Sequence, residues 1–173
     1  MLSSLKQEGK IQYAGIATRT EDTALAAINS NFFETIQLAY SILDQRMENV
    51  LVEAQKNNVG IINRSVLLQG ALTPKYEHLP DALAPVKKAA EQATNMAEEI
   101  DTSLPDMAIR FVLENSAVST ALIGTSKPHQ IESAITASEK ELPEETINSL
   151  YKLAINDPDQ VDPSRWPNDT QTI

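Results

Sequence analysis

The sequence predicts an α/β fold built on parallel strands, and three observations carry that prediction. Apolar and amphipathic runs alternate along the 173 residues as strand then helix, four times over. The strand runs are short and mostly apolar, as expected of strands buried on both faces. The turns between them carry little of the Asn-Gly or Asp-Gly chemistry of tight β-hairpins.

The elements follow in order. SSLKQEG ends a short helix at Gly9, a residue suited to the position just past a helix end. IQYAGIA (11–17) reads as a strand, and EDTALAAINS (21–30) as a helix with Leu25 and Ile28 on one face. ETIQLAY (34–40) is a second strand. RMENVLVEAQKNN (46–58) is an amphipathic helix that turns Met47, Val50, Leu51 and Ala54 inward and stops at Asn-Asn and Gly60. VGIINRS (59–65) is a third strand, followed by the polar loop QGALTPKYEHLPDAL and a helix over roughly 84–99. SLPDMAIRFVLEN (103–115) is helical, with Ser103 or Thr102 as cap. VSTALIG (118–124) is the fourth strand. The chain then turns through Thr125, Ser126 and Lys127 into a helix opened by Pro128, with Ser126 as its expected N-cap. A last helix is expected to hold 146–155. The expected division is one body over 1–157 and a Pro- and Asp-rich tail over 158–173.

A parallel sheet closes in one of two ways, as an open doubly wound sheet or as part of a (β/α)8 barrel. Open dinucleotide-binding sheets carry a Gly-rich first turn, and the chain has no G-x-G-x-x-G. Its phosphate-type corner, GTSKP, instead follows the last strand, where barrels commonly place one. The pattern favours a barrel read from its middle onward.

Composition narrows the function. A net charge of −10 argues against nucleic-acid binding, which needs clustered Lys and Arg. With no cysteine there is no thiolate chemistry, and the two histidines, His78 and His129, have no ligand-spaced partner that would make a metal site. No apolar stretch approaches the roughly 20 residues of a membrane helix, so a cytoplasmic protein without membrane contact is the expectation.

Five blocks, GKIQYAGIAT, TIQLAYSILDQR, GIINRSVLLQGALTPKY, AIRFVLENSAVSTALIGTSKPHQIESAI and PSRWP, resemble the aldo-keto reductase family in order and spacing, in its RSVxLQG-type branch. The resemblance implies a TIM-type (β/α)8 barrel with a nicotinamide cofactor, NADP or NAD, across its C-terminal mouth. The blocks correspond to the second half of such a barrel, from about the fifth strand to the end. A full barrel takes about 250 residues, so the front units are expected outside this chain. In the family the catalytic Asp, Tyr, Lys and His come from those front units, so no catalytic residue is assigned here. Tyr13, Tyr40, Tyr76 and Tyr151 all fall in second-half blocks.

The resemblance carries cofactor roles onto particular residues. Gln37 stands where the family's glutamine meets the nicotinamide carboxamide, a group its amide matches in donor and acceptor. Ser65, Leu67 and Lys75 fall in the loop that folds over the cofactor diphosphate, with Lys75 either a phosphate contact or a solvated loop lysine. Arg64 replaces an aromatic that stacks on the nicotinamide; its guanidinium either stacks as well or pairs with a carboxylate such as Asp44. Gly124, Ser126, Lys127 and Gln130 match the corner that grips the adenosine ribose and its 2′-phosphate. Ala17, Ser133 and Ala134 replace polar groups common in relatives, and each lost contact removes roughly 0.5–1.5 kcal/mol; Gln130 stands where many relatives place an arginine and others a glutamine, which weakens the case for NADP over NAD.

The implied function is the cofactor-holding half of an oxidoreductase that reduces aldehydes or ketones. The alternative is a non-catalytic half-barrel that binds a nucleotide or a subunit. A half-barrel exposes two edge strands, so a separate N-terminal half or a second copy is an expected partner.

Overall fold

The computed structural model describes residues 1–167. Four strands, β1 (Gly15–Ala17), β2 (Thr35–Ala39), β3 (Gly60–Arg64) and β4 (Val118–Ala121), alternate with helices. The helices are α1 (Leu2–Gln7), α2 (Glu21–Asn29), α3 (Glu48–Lys56), α4 (Ala84–Glu99), α5 (Leu104–Glu114), α6 (Pro128–Ser138), α7 (Glu144–Leu150) and α8 (Pro158–Val161). The sheet order is β1-β2-β3-β4, with every pair parallel.

That order dictates the shape. Each connection steps one strand in the same direction, and parallel crossovers are right-handed, so the crossover helices gather on one face of the sheet. Burial follows. Ile36, Leu38 and Ile61 are fully buried under α2, α3 and α5, together with Ile28, Val50, Leu51, Met107 and Phe111. Their in-register alternates Thr35, Gln37, Ala39, Gly60, Ile62 and Arg64 stay half-buried on the other face. This one-sided arrangement is a barrel segment seen from its interior, with β1 and β4 as edges. Gly15 is needed where β1 meets β2: an added Cβ would lie 2.2 Å from Thr35 Oγ1 and 3.1 Å from the Thr35 carbonyl oxygen.

Capping explains several boundaries. Thr20 and Ser103 accept the third amide of α2 and α5, from Thr23 and Asp106. Gly9 and Asn58 take the left-handed backbone after α1 and α3. On the helix-facing side, Tyr40 stacks on Phe111 at 5.7 Å and donates to Glu48 at 3.1 Å. Burial first, then Tyr151 and Glu48, push its phenol far above its ordinary value, so it stays neutral and structural.

The structure corrects the sequence reading in detail. The strands are shorter than the apolar runs: residues 11–14 precede β1, and β4 ends at Ala121, although Leu122 still donates to the Asn63 carbonyl at 2.8 Å. Lys127, not Ser126, occupies the N-cap of α6, because Pro128 sets the first helical position. The last predicted helix splits into α7 and a 3-10 turn over Tyr151–Leu153. Of the segment 158–173, residues 158–167 are described. They form α8 and a turn over Pro163–Arg165, and Val161 and Trp166 join the hydrophobic core. Residues 168–173 lie outside the described residues.

Candidate functional site

The C-terminal ends of β3 and β4 open onto a cleft of about 600 Å³. Three segments build it: the loop after β3, the first turn of α5, and the turn after β4 with the start of α6. Among the residues singled out in the sequence, Leu67, Lys75, Gly124, Ser126, Lys127 and Gln130 all line it. The cleft joins positions more than fifty residues apart, which no local pattern shows.

The loop after β3 is tightly wound. Ser65, Leu68 and Gln69 have positive φ of 64°, 43° and 51°, followed by Gly70 at 95°. Non-glycine residues pay about 1–2 kcal/mol each for that conformation, so the surrounding contacts hold the loop in place: Leu68 and Leu72 are fully buried beneath it. Thr73 then caps a 3-10 turn over Pro74–His78, accepting the Lys75 amide at 3.2 Å and donating to the Gly70 carbonyl at 2.7 Å. The cap delivers Lys75 to the rim of the cleft.

The facing corner is equally specific. Thr125 Oγ1 accepts the Lys127 amide at 3.0 Å, and its hydroxyl donates to Gln130 Oε1. The Gln130 carbonyl end is therefore committed, and its amide end remains available to a ligand. Lys75 and Lys127 are exposed, and neither takes part in an ion pair among the described residues. A Cβ added at Gly124 meets nothing within 4 Å, so a ligand has room to pack against this backbone. Two uncommitted cations, hydroxyls and the amide end of α6 fit a phosphorylated ligand. The residues present therefore suit the phosphates and ribose of a dinucleotide.

Sequence reasoning missed part of the lining. Ser103, Pro105 and Asp106 from α5 and Thr73 and Thr125 from the loops also face the cleft. Asp106 accepts from the Ser133 hydroxyl at 2.9 Å, a link between α5 and α6. Only the Ser103 cap marked that region in the sequence.

The remaining candidates lie elsewhere. Gln37 sits half-buried on the open face of the sheet, in register between Ala17 and Ile62. Arg64 and Ser65 line a second hollow with Arg19, Gln69, Asp162, Pro163 and Ser164. Arg64 does not pair with Asp44: that buried carboxylate is taken by Arg46, at 2.7 and 2.9 Å through two donors. Arg64 instead donates to Ser65 Oγ at 3.3 Å and the Thr18 carbonyl at 3.4 Å. Among the described residues no cluster of three or more His, Cys, Asp or Glu is placed to hold a metal ion. No helix among them is long and apolar enough to cross a membrane.

Comparison with known proteins gives a consistent result. The sequence model of the Aldo/keto reductase family matches residues 1–155. The chain is 29% identical to the NADH-specific methylglyoxal reductase of Escherichia coli, over 89% of this chain and 52% of the relative. It is 27% identical to an uncharacterized oxidoreductase of Bacillus subtilis, over 84% of this chain and 51% of the relative. An aldo-keto reductase of Bacillus halodurans, solved in apo and holo forms, superposes with a TM-score of 0.76 at 26% identity, covering 90% of this chain and, in the apo form, 55% of that one. The chain thus spans about half the length of the curated relatives it matches.

Proposed function

The chain belongs to the aldo/keto reductase family, and from that premise we propose that it is the cofactor-holding half of an oxidoreductase that reduces aldehydes or ketones with NADP(H) or NAD(H). The single observation that carries this reading is the cleft in which Leu67, Lys75, Gly124, Ser126, Lys127 and Gln130 converge.

Each residue has a task on this reading. Lys127 and the α6 amides hold the phosphate of the adenosine end, where Gly124 leaves room for the ribose. Ser126 and the amide of Gln130 add donors. Lys75 and Ser65, with the backbone turn at Leu67, face the diphosphate. Gln37 would meet the nicotinamide carboxamide on the open face, and the Arg64 guanidinium would stack on the ring. When bound, the cofactor supplies hydride to a carbonyl carbon. The proton for the resulting alkoxide comes from the family's Asp, Tyr, Lys and His, which we place in a segment outside these 173 residues. That segment, or a second copy of the chain, covers the open face and the β1 and β4 edges, and the assembly works in the cytoplasm.

One observation favours a second reading, a non-catalytic binding module. The row Ala17, Gln37, Ile62 and Thr120, which shares register across the open face, contains no carboxylate, histidine or lysine to move a proton.

Titration of the purified chain with NADPH and NADH, followed by reduced-nicotinamide fluorescence, tests the common ground, with saturable binding expected. Carbonyl reduction is then measured before and after adding a separately produced N-terminal (β/α)4 half. Turnover that appears on addition supports the enzyme reading, whereas binding without turnover supports the module. Absence of saturable binding overturns both.

A further inference from the structure

One arginine is buried where the fold leaves it unpaired. Arg110 lies two turns into α5, among the buried Met107, Ala108, Phe111 and Val112, and is itself only 8% exposed. Its Nε has no hydrogen-bond partner, and among the described residues its guanidinium enters no ion pair. Glu114, one turn further along α5, is not its counter-ion: that carboxylate accepts the Leu142 amide at 2.9 Å. Arginine cannot shed its charge by deprotonation, and a buried charge without a partner is costly. The position therefore calls for a negative group from outside the described residues.

Arg110 lines a groove of about 550 Å³ between the turn that joins α4 to α5 and Lys140, just past α6. Ser103 and Asp106 form the ridge shared with the cofactor cleft, whereas Glu98, Asp101, Arg110 and Lys140 line the groove alone. Two cations thus face three carboxylates. Asp106 has one oxygen committed to Ser133 at 2.9 Å, while Glu98, Asp101 and Lys140 are exposed and in no ion pair among the described residues. Neighbours in sequence add to the negative side, with Glu99 beside Glu98 and Glu139 and Glu141 flanking Lys140. That balance decides the ligand. A simple anion would satisfy Arg110 but enter a negative field, and a simple cation would leave the guanidinium unpaired. The carboxylates are not placed to hold a metal ion together. A molecule carrying both signs meets both walls.

We propose that this groove binds a small zwitterion of the amino-carboxylate class, its carboxylate held by Arg110 and Lys140 and its ammonium by Glu98 and Asp101. The planar guanidinium fork matches a carboxylate in two-point contact. The backbone agrees in sign, because the turn brings the negative end of α4 and the positive end of α5 to the same groove. The site stands apart from the proposed carbonyl reduction, since none of its four charged groups lines the cofactor cleft.

The test is amide chemical-shift titration of the labelled 173-residue chain with glycine, β-alanine and 4-aminobutyrate, and with acetate and methylammonium as the separate halves. At least one zwitterion is expected to bind roughly tenfold more tightly than either half, with saturable shifts around residues 98–110 and Lys140. Asp101→Asn, which suits the left-handed backbone there (φ 51°), and Lys140→Gln are each expected to weaken binding several-fold with the melting temperature unchanged, both positions being exposed. Arg110→Met is expected to abolish saturable binding while the melting temperature holds or rises, because an apolar side chain replaces an unpaired charge. Should that variant fail to fold, the two exposed variants decide alone. Zwitterions that bind no more tightly than acetate or methylammonium overturn the proposal, as do folded variants that bind like the parent. So does displacement of the zwitterion by NADPH in direct competition, because the groove would then be part of the cofactor cleft.

Discussion

Replacing Gly124 by valine separates ligand packing from folding. The backbone at Gly124 is outside the left-handed region, and an added Cβ finds nothing within 4 Å. The free protein therefore accepts the side chain without strain, and the loss of glycine's freedom in the unfolded chain adds about 0.4–1 kcal/mol of stability. The bound state is different. If a ribose or phosphate packs against this backbone, the branched side chain takes its place, and overpacking of a filled site costs about 1–3 kcal/mol. That corresponds to roughly 5- to 150-fold weaker cofactor binding. Gly15→Ala is the control: its methyl would lie 2.2 Å from Thr35 Oγ1 and 3.1 Å from a backbone oxygen that has no room to give. It is expected to lower the melting temperature while leaving cofactor affinity of the folded fraction unchanged. Fluorescence titration and thermal melts of both variants check the pair. A Gly124→Val protein that binds NADPH and NADH like the parent would refute the packing of the cofactor on this corner.

Three further outcomes follow from the same geometry. Gln37→Leu removes a half-buried amide from the open face, and is expected to weaken cofactor binding about 2- to 13-fold with no change in melting temperature, as titration and melting together would show. Trp166→Ala empties a position 4% exposed and frees the Gln160 carbonyl that its Nε1 meets at 2.9 Å; a loss of about 3–5 kcal/mol is expected in urea melts. Glu34 is held below its ordinary value first by the Ala14 amide and then by Lys6, so its contribution is present at neutral pH. It is lost as pH falls below about 4.3. Acid titration followed by amide exchange is expected to show α1 loosening in that window, and Glu34→Gln to abolish the dependence.

How far the sequence reached is clearest at particular residues. The order of strands and helices was legible because Gly9, Asn57-Asn58, Ser103 and Pro128 punctuate it with residues that have few other uses. The stretch after β4 that lines the cleft was legible because Gly124 through Gln130 are nearly contiguous in sequence. Strand lengths were not: of the run over 11–17 only Ala14 is buried and Tyr13 is 70% exposed, and pairing requires a neighbour, which β1 has only on the β2 side. The cap of α6 was misread because Pro128 fixes the helix start by its ring, while Thr125, one residue before the expected Ser126, supplies the hydroxyl that accepts the Lys127 amide. Asp106 was invisible because its link to Ser133 spans 27 residues and depends on how α5 packs on α6. The hollow lined by Arg19 and Arg64 was equally hidden: the two are 45 residues apart in sequence and share it only because β1, β2 and β3 are consecutive neighbours in the sheet.

If the cleft between the β3 loop and α6 holds a nicotinamide dinucleotide, as proposed, the ligand must touch both walls. Amide chemical-shift mapping of the isotopically labelled chain during NADPH and NADH titration reads those walls residue by residue. Saturable shifts are expected at residues 67–75 and 123–130, with smaller ones at Gln37 and Arg64. Saturable shifts confined to the helix-covered side of the sheet, or none in either loop at full cofactor occupancy, would contradict it.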